Sequence, residues 1–506
     1  MDTPDPIQGQ APRKSGPVFV SGFCDPAKRR LILIAAVLAS SMGFIDGTVV
    51  SIAIPAMRTT LGATLGQATW INNAYMVTLS ALILTGGAFG DRFGLARVFT
   101  LGIGLFVVTS AVCAFAPSPE ILILARFAQG VGAALMVPGS LAILSRAYPR
   151  ELRGAAIGTW AAASAVTTAA GPVIGGLTLA LGGDDMWRWI FAINLPLGVA
   201  AIWLTRVGIN EDNSRPGDPI DITGALLASG GLGALAWALT HAEHGGIDAK
   251  LFWTGGLGAA AVAAFILHEH RSRTPMMPLV LFTSPAFSAA QVSTFSLYFG
   301  LSAILFFLPM LVIAGWGISA IYATFAFAPL SICVMLFSRF FGRMAERIGH
   351  GVPIAIGSVL AAVGYAWLAR SVESMDYWFG VLPPMALQGL GMSMVVAPIS
   401  SAIMHSVDDG QTGIASGVNN AISRIAGLIA VAGMSAVVAR AYAAADGPAS
   451  YGIRSDSPGH DAAMVEAFAS VAWTASVLSV ISAVVAMIGI GIGRRQARAG
   501  RPSGST

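Results

Sequence analysis

Fourteen predominantly apolar stretches, each close to or above 20 residues, recur along this chain, and they limit its fold more than any other feature. They lie at about residues 31–56, 67–89, 96–116, 120–146, 153–181, 188–208, 221–241, 250–269, 285–313, 318–344, 351–369, 377–404, 411–440 and 465–492. Crossing a hydrocarbon core of about 30 Å takes about 20 helical residues, and the ten-residue alternation of a barrel strand is missing. The expectation is an all-α polytopic membrane protein with 14 transmembrane helices. Composition agrees: charged residues make up 11% of the 506, less than half the roughly 25% of a soluble domain, while 55% are hydrophobic and the mean hydropathy is +0.73.

Residues 1–30 are polar and basic ("PRK", "AKRR") without an apolar segment or cleavage site, so the first helix is expected to stay as an anchor. Most of the 29 basic residues fall on one side if both termini are cytoplasmic. Arg58, Arg188, Lys250, Arg370, Arg440 and Arg454 fall on the other side, and Arg126 and Arg424 lie within spans. This is the positive-inside pattern, and it implies a multi-pass protein of the cell inner (plasma) membrane. The pI near 9.1 is then a consequence of topology, and no nucleic-acid partner is implied. Cys24, Cys113 and Cys333 are scattered and odd in number, which argues against a disulfide framework or a metal cluster.

The chain also repeats itself. "GGAFGDRFG" (86–94) returns as "GRMAERIG" (342–349), "AQGVG" (128–132) as "LQGLG" (387–391), and "RGAAIG" (153–158) as "TGIASG" (412–417). A near-constant offset means parallel structural repeats about an axis along the membrane normal. The expected organisation is a cytoplasmic tail (1–30), an N-terminal six-helix bundle (31–208), a linker with two inserted helices (209–273), a C-terminal six-helix bundle (285–492) and a second cytoplasmic tail (493–506).

These features resemble the major facilitator superfamily, and the span count resembles its drug:proton antiporter branch of the EmrB/QacA type. Besides the repeated loop, "DGTVVSIAIP", "RFAQGVGAALMVPG", "GPVIGG" and "WRWIFAINLPLG" carry the likeness, which covers nearly all of residues 30–492. Two departures are Leu95 and Ala96 where the family has basic residues, and Thr167 where it has a small one. The resemblance implies a major facilitator fold of two six-helix bundles plus two inserted helices. It also implies that the loop holds the cytoplasmic side closed, making Gly87, Gly90, Asp91, Arg92, Gly94 and Arg97, with Glu346 and Arg347 of the second copy, a conformational gate. In the residues themselves, Gly87 and Gly90 allow a close helix crossing, and Asp91 suits the N-terminus of a neighbouring helix; a turn with a solvated charge pair is the plainer alternative.

Only Asp46, Arg126 and Arg424 are ionisable and deep within spans. Charge at mid-bilayer costs about 2.5–3.5 kcal/mol even on the lenient scale, so such residues face a bundle interior or a watery cavity. By resemblance, Asp46 and Arg126 are the proton-coupling pair of helices 1 and 4; a permanent buried salt bridge is the alternative. Arg126, Gln129, Gly130, Ala133 and Val137 share one helical face, and Ser416, Asn420, Ser423, Arg424 and Gly427 make a similar stripe with Asn419 beside it. Gln129 and these amides either line a substrate cavity or bond between helices. Asn72, Asn73 and Tyr75 read as lining of an outer vestibule, and Trp160, Phe295, Tyr298 and Phe299 as either cavity wall or bundle core. Gly171, Pro172, Gly175 and Gly176 form the antiporter motif by resemblance, with Pro172 bending the helix and the glycines packing against the other half. "HAEH" (241–244) and "HEH" (268–270) lack the spacing of a metal site and read as solvated loop.

No Walker sequence, GxSxG or zinc-protease motif occurs, so the chain reads as a transporter rather than an enzyme. By the same resemblance it is expected to need no cofactor beyond a proton gradient and to export lipophilic small molecules by alternating access. Its partners are that substrate, protons and the lipid bilayer, with a periplasmic adaptor protein left open. An importer or facilitator of the same fold, and a lipid scramblase or sensor without proton coupling, are the competing readings.

Overall fold

A computed structural model describes residues 23–210, 221–241, 249–273, 275–407 and 411–490. Most of both expected tails, part of the linker, residues 242–244 of "HAEH" and the side chain of Asp91 lie outside the described residues. The described chain is helical. Its helices are α1 (Arg29–Leu61), α2 (Leu65–Phe93), α3 (Leu95–Ala114), α4 (Pro119–Ala147), α5 (Arg150–Gly182), α6 (Trp187–Ala192), α7 (Asn194–Gly208), α8 (Ile222–His241) and α9 (Ala249–Arg271). They continue with α10 (Pro285–Met310), α11 (Ala320–Phe325), α12 (Ala328–Ile348), α13 (Gly351–Ser371), α14 (Tyr377–Gly380), α15 (Leu382–His405), α16 (Thr412–Ala444) and α17 (His460–Val485).

Local chemistry sets the boundaries. Thr64 caps α2 with Gln67 reaching back in a capping box, and Ser118 caps α4 with a proline in its first turn. Three expected spans are broken where prolines remove a helical donor. α6 and α7 part at Ile193 ahead of Pro196, α11 and α12 part before Pro329, and α14 and α15 part before Pro383 and Pro384.

Among the described residues, twelve helical runs are long and apolar enough to cross a membrane. The expectation of fourteen is therefore met for twelve. The second and fifth expected spans coincide with α2, of 29 residues, and α5, of 33, about 44 and 50 Å long at about 1.5 Å per residue.

Packing repeats along the chain. α2 and α3 both lie on α4, α5 and α7 on α1, and α7 on α3; correspondingly α12 and α13 lie on α15, α16 and α17 on α10, and α17 on α13. Sequence repeats fall at matching crossings. A Cβ on Gly132 would lie 2.9 Å from the Gly102 carbonyl oxygen, and one on Gly391 would lie 2.5 Å from that of Gly357, so each α3–α4-type crossing needs glycine for backbones to touch. α2 packs on α16, α5 on α11 and α1 on α10, while α8 carries α9 and rests on both α2 and α16.

The repeated "GDRFG" and "AERIG" stretches were expected in loops, and here the structure corrects the expectation. Gly87–Phe93 is the last part of α2, and Glu346–Ile348 ends α12. No proline interrupts either stretch, so the helices run on until Gly94 (φ 97°) and Gly349 (φ 98°) reverse them in the same left-handed conformation.

Candidate functional site

Asp46 of α1 and Arg126 of α4 meet in the interior, with both side chains fully buried and Arg126 Nη1 donating to Asp46 Oδ2 at 2.5 Å. The same nitrogen donates to Gln129 Oε1 at 2.6 Å, and Arg126 Nε donates to the Ile71 carbonyl of α2 at 3.0 Å. Gln129, one turn along α4, passes the network on: its Nε2 donates to Ser110 Oγ of α3 (2.8 Å), which also accepts from Asn194 Nδ2 of α7 (3.3 Å). The Tyr75 ring covers the guanidinium, with 4.4 Å from its carbon to the ring centroid. Five helices thus converge on one buried ion pair. Spacing of three along α4 puts Arg126 and Gln129 on the face that meets α1.

The second half lacks this charge. At the positions matching Arg126 and Gln129 stand Met385 and Gln388, and Gln388 Nε2 donates to Tyr365 Oη at 3.0 Å. Arg424 of α16 is instead half-buried, within electrostatic range of the Tyr75 and Tyr298 phenols, and pairs with no acid among the described residues. Next to it, Asn419 Oδ1 accepts from Thr294 Oγ1 of α10 at 2.9 Å, and exposed Asn420 donates to the Ser416 carbonyl. Among the described residues, the interior therefore holds one neutralised pair, within the first half, and one cation, Arg424, without an acid partner.

"GPVIGG" has a mechanical explanation. Pro172 offers no N–H to the carbonyl of Thr168, and the Thr48 hydroxyl of α1 donates to that oxygen at 3.3 Å. Gly171 makes room for it, since a Cβ there would lie 2.0 Å from Thr48 Oγ1. The expectation that all three glycines pack on the other half is corrected: Gly171 and Gly175 face α1, and Gly176 alone meets α11, at Ala320, Ile321 and Thr324. Trp160 also ties α5 to α1, its Nε1 donating to Ser40 Oγ at 2.8 Å.

Several other expectations change in detail. Gly87 faces open space and Gly90 meets only Leu95, so neither carries the crossing with α4; a Cβ on the preceding Gly86 would lie 2.0 Å from the Ala134 carbonyl oxygen. Arg92, Arg97, Glu346 and Arg347 are exposed at the helix ends. Asn72, Asn73 and Tyr75 are buried rather than facing a vestibule; α2 packs on α4, α16 and α8. Gln129 is fully buried within the ion-pair network. "HEH" is no loop: it is the end of α9, with Glu269 2% exposed.

Sequence reasoning missed Arg58. It sits at the end of α1, 2% exposed, donating to the Tyr451 carbonyl, to Ser450 Oγ (3.1 Å) and to the Ala63 carbonyl (3.2 Å). With the Gly176–Thr324 contact, it closes the end opposite Gly94 across the two halves. Its partners lie 392 and 393 residues away along the chain, and no local pattern signals them.

Comparison with known proteins places this architecture. The model of the Major Facilitator Superfamily matches residues 36–431. The Methylenomycin A resistance protein of Bacillus subtilis is 32% identical over 408 residues, covering 79% of this chain and 86% of that protein. The Tetracenomycin C resistance and export protein of Streptomyces glaucescens is 31% identical over 416 residues, covering 80% and 75%. Among solved structures, a bacterial homologue of the human lysosomal transporter Spinster, inward-facing and unoccupied, aligns with a TM-score of 0.68 at 14% identity, covering 95% of this chain and 100% of that one. A D-xylose-proton symporter aligns at 0.62 and 14%, covering 91% and 98%; at such identities the likeness is one of fold. With the match extending over most of the sequence, the chain belongs to the Major Facilitator Superfamily.

Proposed function

We propose that this chain is a proton-coupled exporter of lipophilic small molecules across the cytoplasmic membrane. The observation that carries the reading is the buried Asp46–Arg126 pair, the one acid–base pair at the convergence of α1, α2, α3, α4 and α7. Relatives named for antibiotic resistance and export support the direction. The bundles are residues 31–208 and 285–492, α2 and α5 cross the membrane with the twelve apolar runs to give fourteen spans, and both termini are cytoplasmic.

In this reading, Asp46 exchanges Arg126 for a proton, which releases the guanidinium from α1 and lets α1 and α5 move together over α11. Asp91, Arg92 and Arg97, with Glu346 and Arg347, gate the cytoplasmic end, and the Arg58 and Gly176 contacts gate the outer end. The substrate lies by Tyr298, Asn420 and Arg424. One uncompensated cation there favours neutral, zwitterionic or anionic amphipathic compounds over dications. One proton entering down about 100 mV releases about 2.3 kcal/mol, enough for about a fifty-fold gradient of a neutral compound.

Everted membrane vesicles test the direction. Acidifying their interior should drive accumulation of a lipophilic fluorescent substrate, and a protonophore should abolish it. Accumulation that ignores the protonophore removes the coupling, and accumulation only in right-side-out vesicles turns the exporter into an importer.

A further inference from the structure

The hairpin α8–α9 takes no part in the site above, yet one end of it holds a second group of buried acids. Asp221, at the start of α8, has a side chain 6% exposed, and its Oδ1 accepts from the Gly224 N–H (2.7 Å) and from His268 Nε2 (2.8 Å). Glu269, one residue after His268 in the last turn of α9, is 2% exposed, and its Oε2 accepts from the Met277 N–H at 2.9 Å. One oxygen of each carboxyl is thereby used. The other two, Asp221 Oδ2 and Glu269 Oε1, are buried without a hydrogen-bond donor among the described residues.

Both unpartnered oxygens point to the same place. A Cβ on Gly224 would lie 2.6 Å from Asp221 Oδ2 and 3.0 Å from Glu269 Oε1, so the two oxygens border one small space beside the first turn of α8. If both were ionised, two buried acceptors of like charge would border the same space, an arrangement that carboxyl pairs relieve by holding one proton in common. The other titratable group bearing on Glu269 is His268, which is turned to Asp221. Arg271 and Arg273 beyond it are exposed, as is Arg92 at the end of α2; on α16, which also packs on α8, the deep cation is Arg424.

We propose that Asp221 and Glu269 share one proton, which makes this end of the α8–α9 hairpin a proton-binding site separate from Asp46. The shared proton joins the first turn of α8 to the last turn of α9 and, through the Met277 N–H, to the segment leading into α10. It gives the chain two protonatable sites, whichever direction it transports.

Infrared difference spectroscopy of the purified protein in lipid reads the site directly. Asp46→Asn removes the other buried acid among the described residues, and exposed carboxyls are ionised at neutral pH because their ordinary values lie near about 4. The Asp46→Asn protein should show a carboxylic-acid C=O band at neutral pH that shifts in heavy water. Adding either Glu269→Gln or Asp221→Asn should abolish it, and Gly224→Ala, which keeps both acids and inserts a methyl between them, should reduce it. A missing band in the Asp46→Asn protein, a measurement that needs no change at the hairpin, overturns the proposal. So does a band that survives either the Glu269 or the Asp221 substitution.

Discussion

Asp46→Asn separates a coupling pair from a structural tie. The substitution keeps an acceptor oxygen facing Arg126 but removes the charge, leaving a fully buried guanidinium whose Nη2 already has no partner. Breaking a buried pair from one side costs about 3–5 kcal/mol. The remaining bonds of Arg126 to Ile71 and Gln129, and the Tyr75 face, worth about 0.5–2 kcal/mol, hold the loss near the lower end of that range. Asp46→Asn/Arg126→Gln removes both charges, and neutral replacements of a buried pair are often close to neutral in stability. Thermal unfolding followed by tryptophan fluorescence in detergent should therefore show a clear drop for Asp46→Asn and recovery of at least half of it in the double variant. Proton-driven transport in vesicles should be lost in both. If Asp46→Asn is as stable as the parent, the buried-pair reasoning fails. If the double variant regains transport with its stability, the pair is only a tie between helices.

Three further outcomes follow from named contacts. Gly176→Ala would put a methyl 2.3 Å from Thr324 Cγ2 and 2.7 Å from the Ala320 carbonyl oxygen; overpacking of about 1–3 kcal/mol should shift the conformers roughly five- to 150-fold toward an open outer end, and unchanged labelling of a cavity cysteine from outside would contradict this. Arg58→Lys should free the segment between α16 and α17 by losing the forked contact with Ser450 and Tyr451, seen as faster hydrogen exchange over residues 445–459; parent-like protection would remove Arg58 from the gate. Arg424→Gln should cut export of anionic substrates roughly ten- to 150-fold, the equivalent of about 1.5–3 kcal/mol for a hydrogen bond to a charged group, while neutral analogues of the same shape leave as before; equal losses for both would refute the charge argument.

Much of the fold was legible because a membrane span is a one-dimensional signal. Apolar length placed the helices, and the repeated glycine motifs announced two similar halves whose Gly94 and Gly349 adopt the same backbone turn. That Asp46 and Arg126 face the interior was legible for a related reason, since so few charges sit at that depth, while their pairing with each other came from the resemblance. Partners were harder. Periodicity says which residues share a face, but not which helix that face meets, so Gly171 and Gly175 were assigned to the other half when they pack on α1, and Gly87 was given the crossing that Gly86 makes. Charges at helix ends misled most. Glu269 reads as part of a solvated loop and Arg58 only as a charge of the outer side, and only the arrival of Gly224 at one and Tyr451 at the other buries them.

Proton movement with purified protein tests the central claim most directly. In liposomes holding a pH-sensitive dye, with the membrane potential clamped, adding substrate on the side from which it is loaded should start a proton flux opposite to substrate movement. That flux should saturate with substrate concentration and vanish in Asp46→Asn. Substrate crossing the bilayer at the parent rate with no proton flux, or with an undiminished flux in Asp46→Asn, would contradict the account.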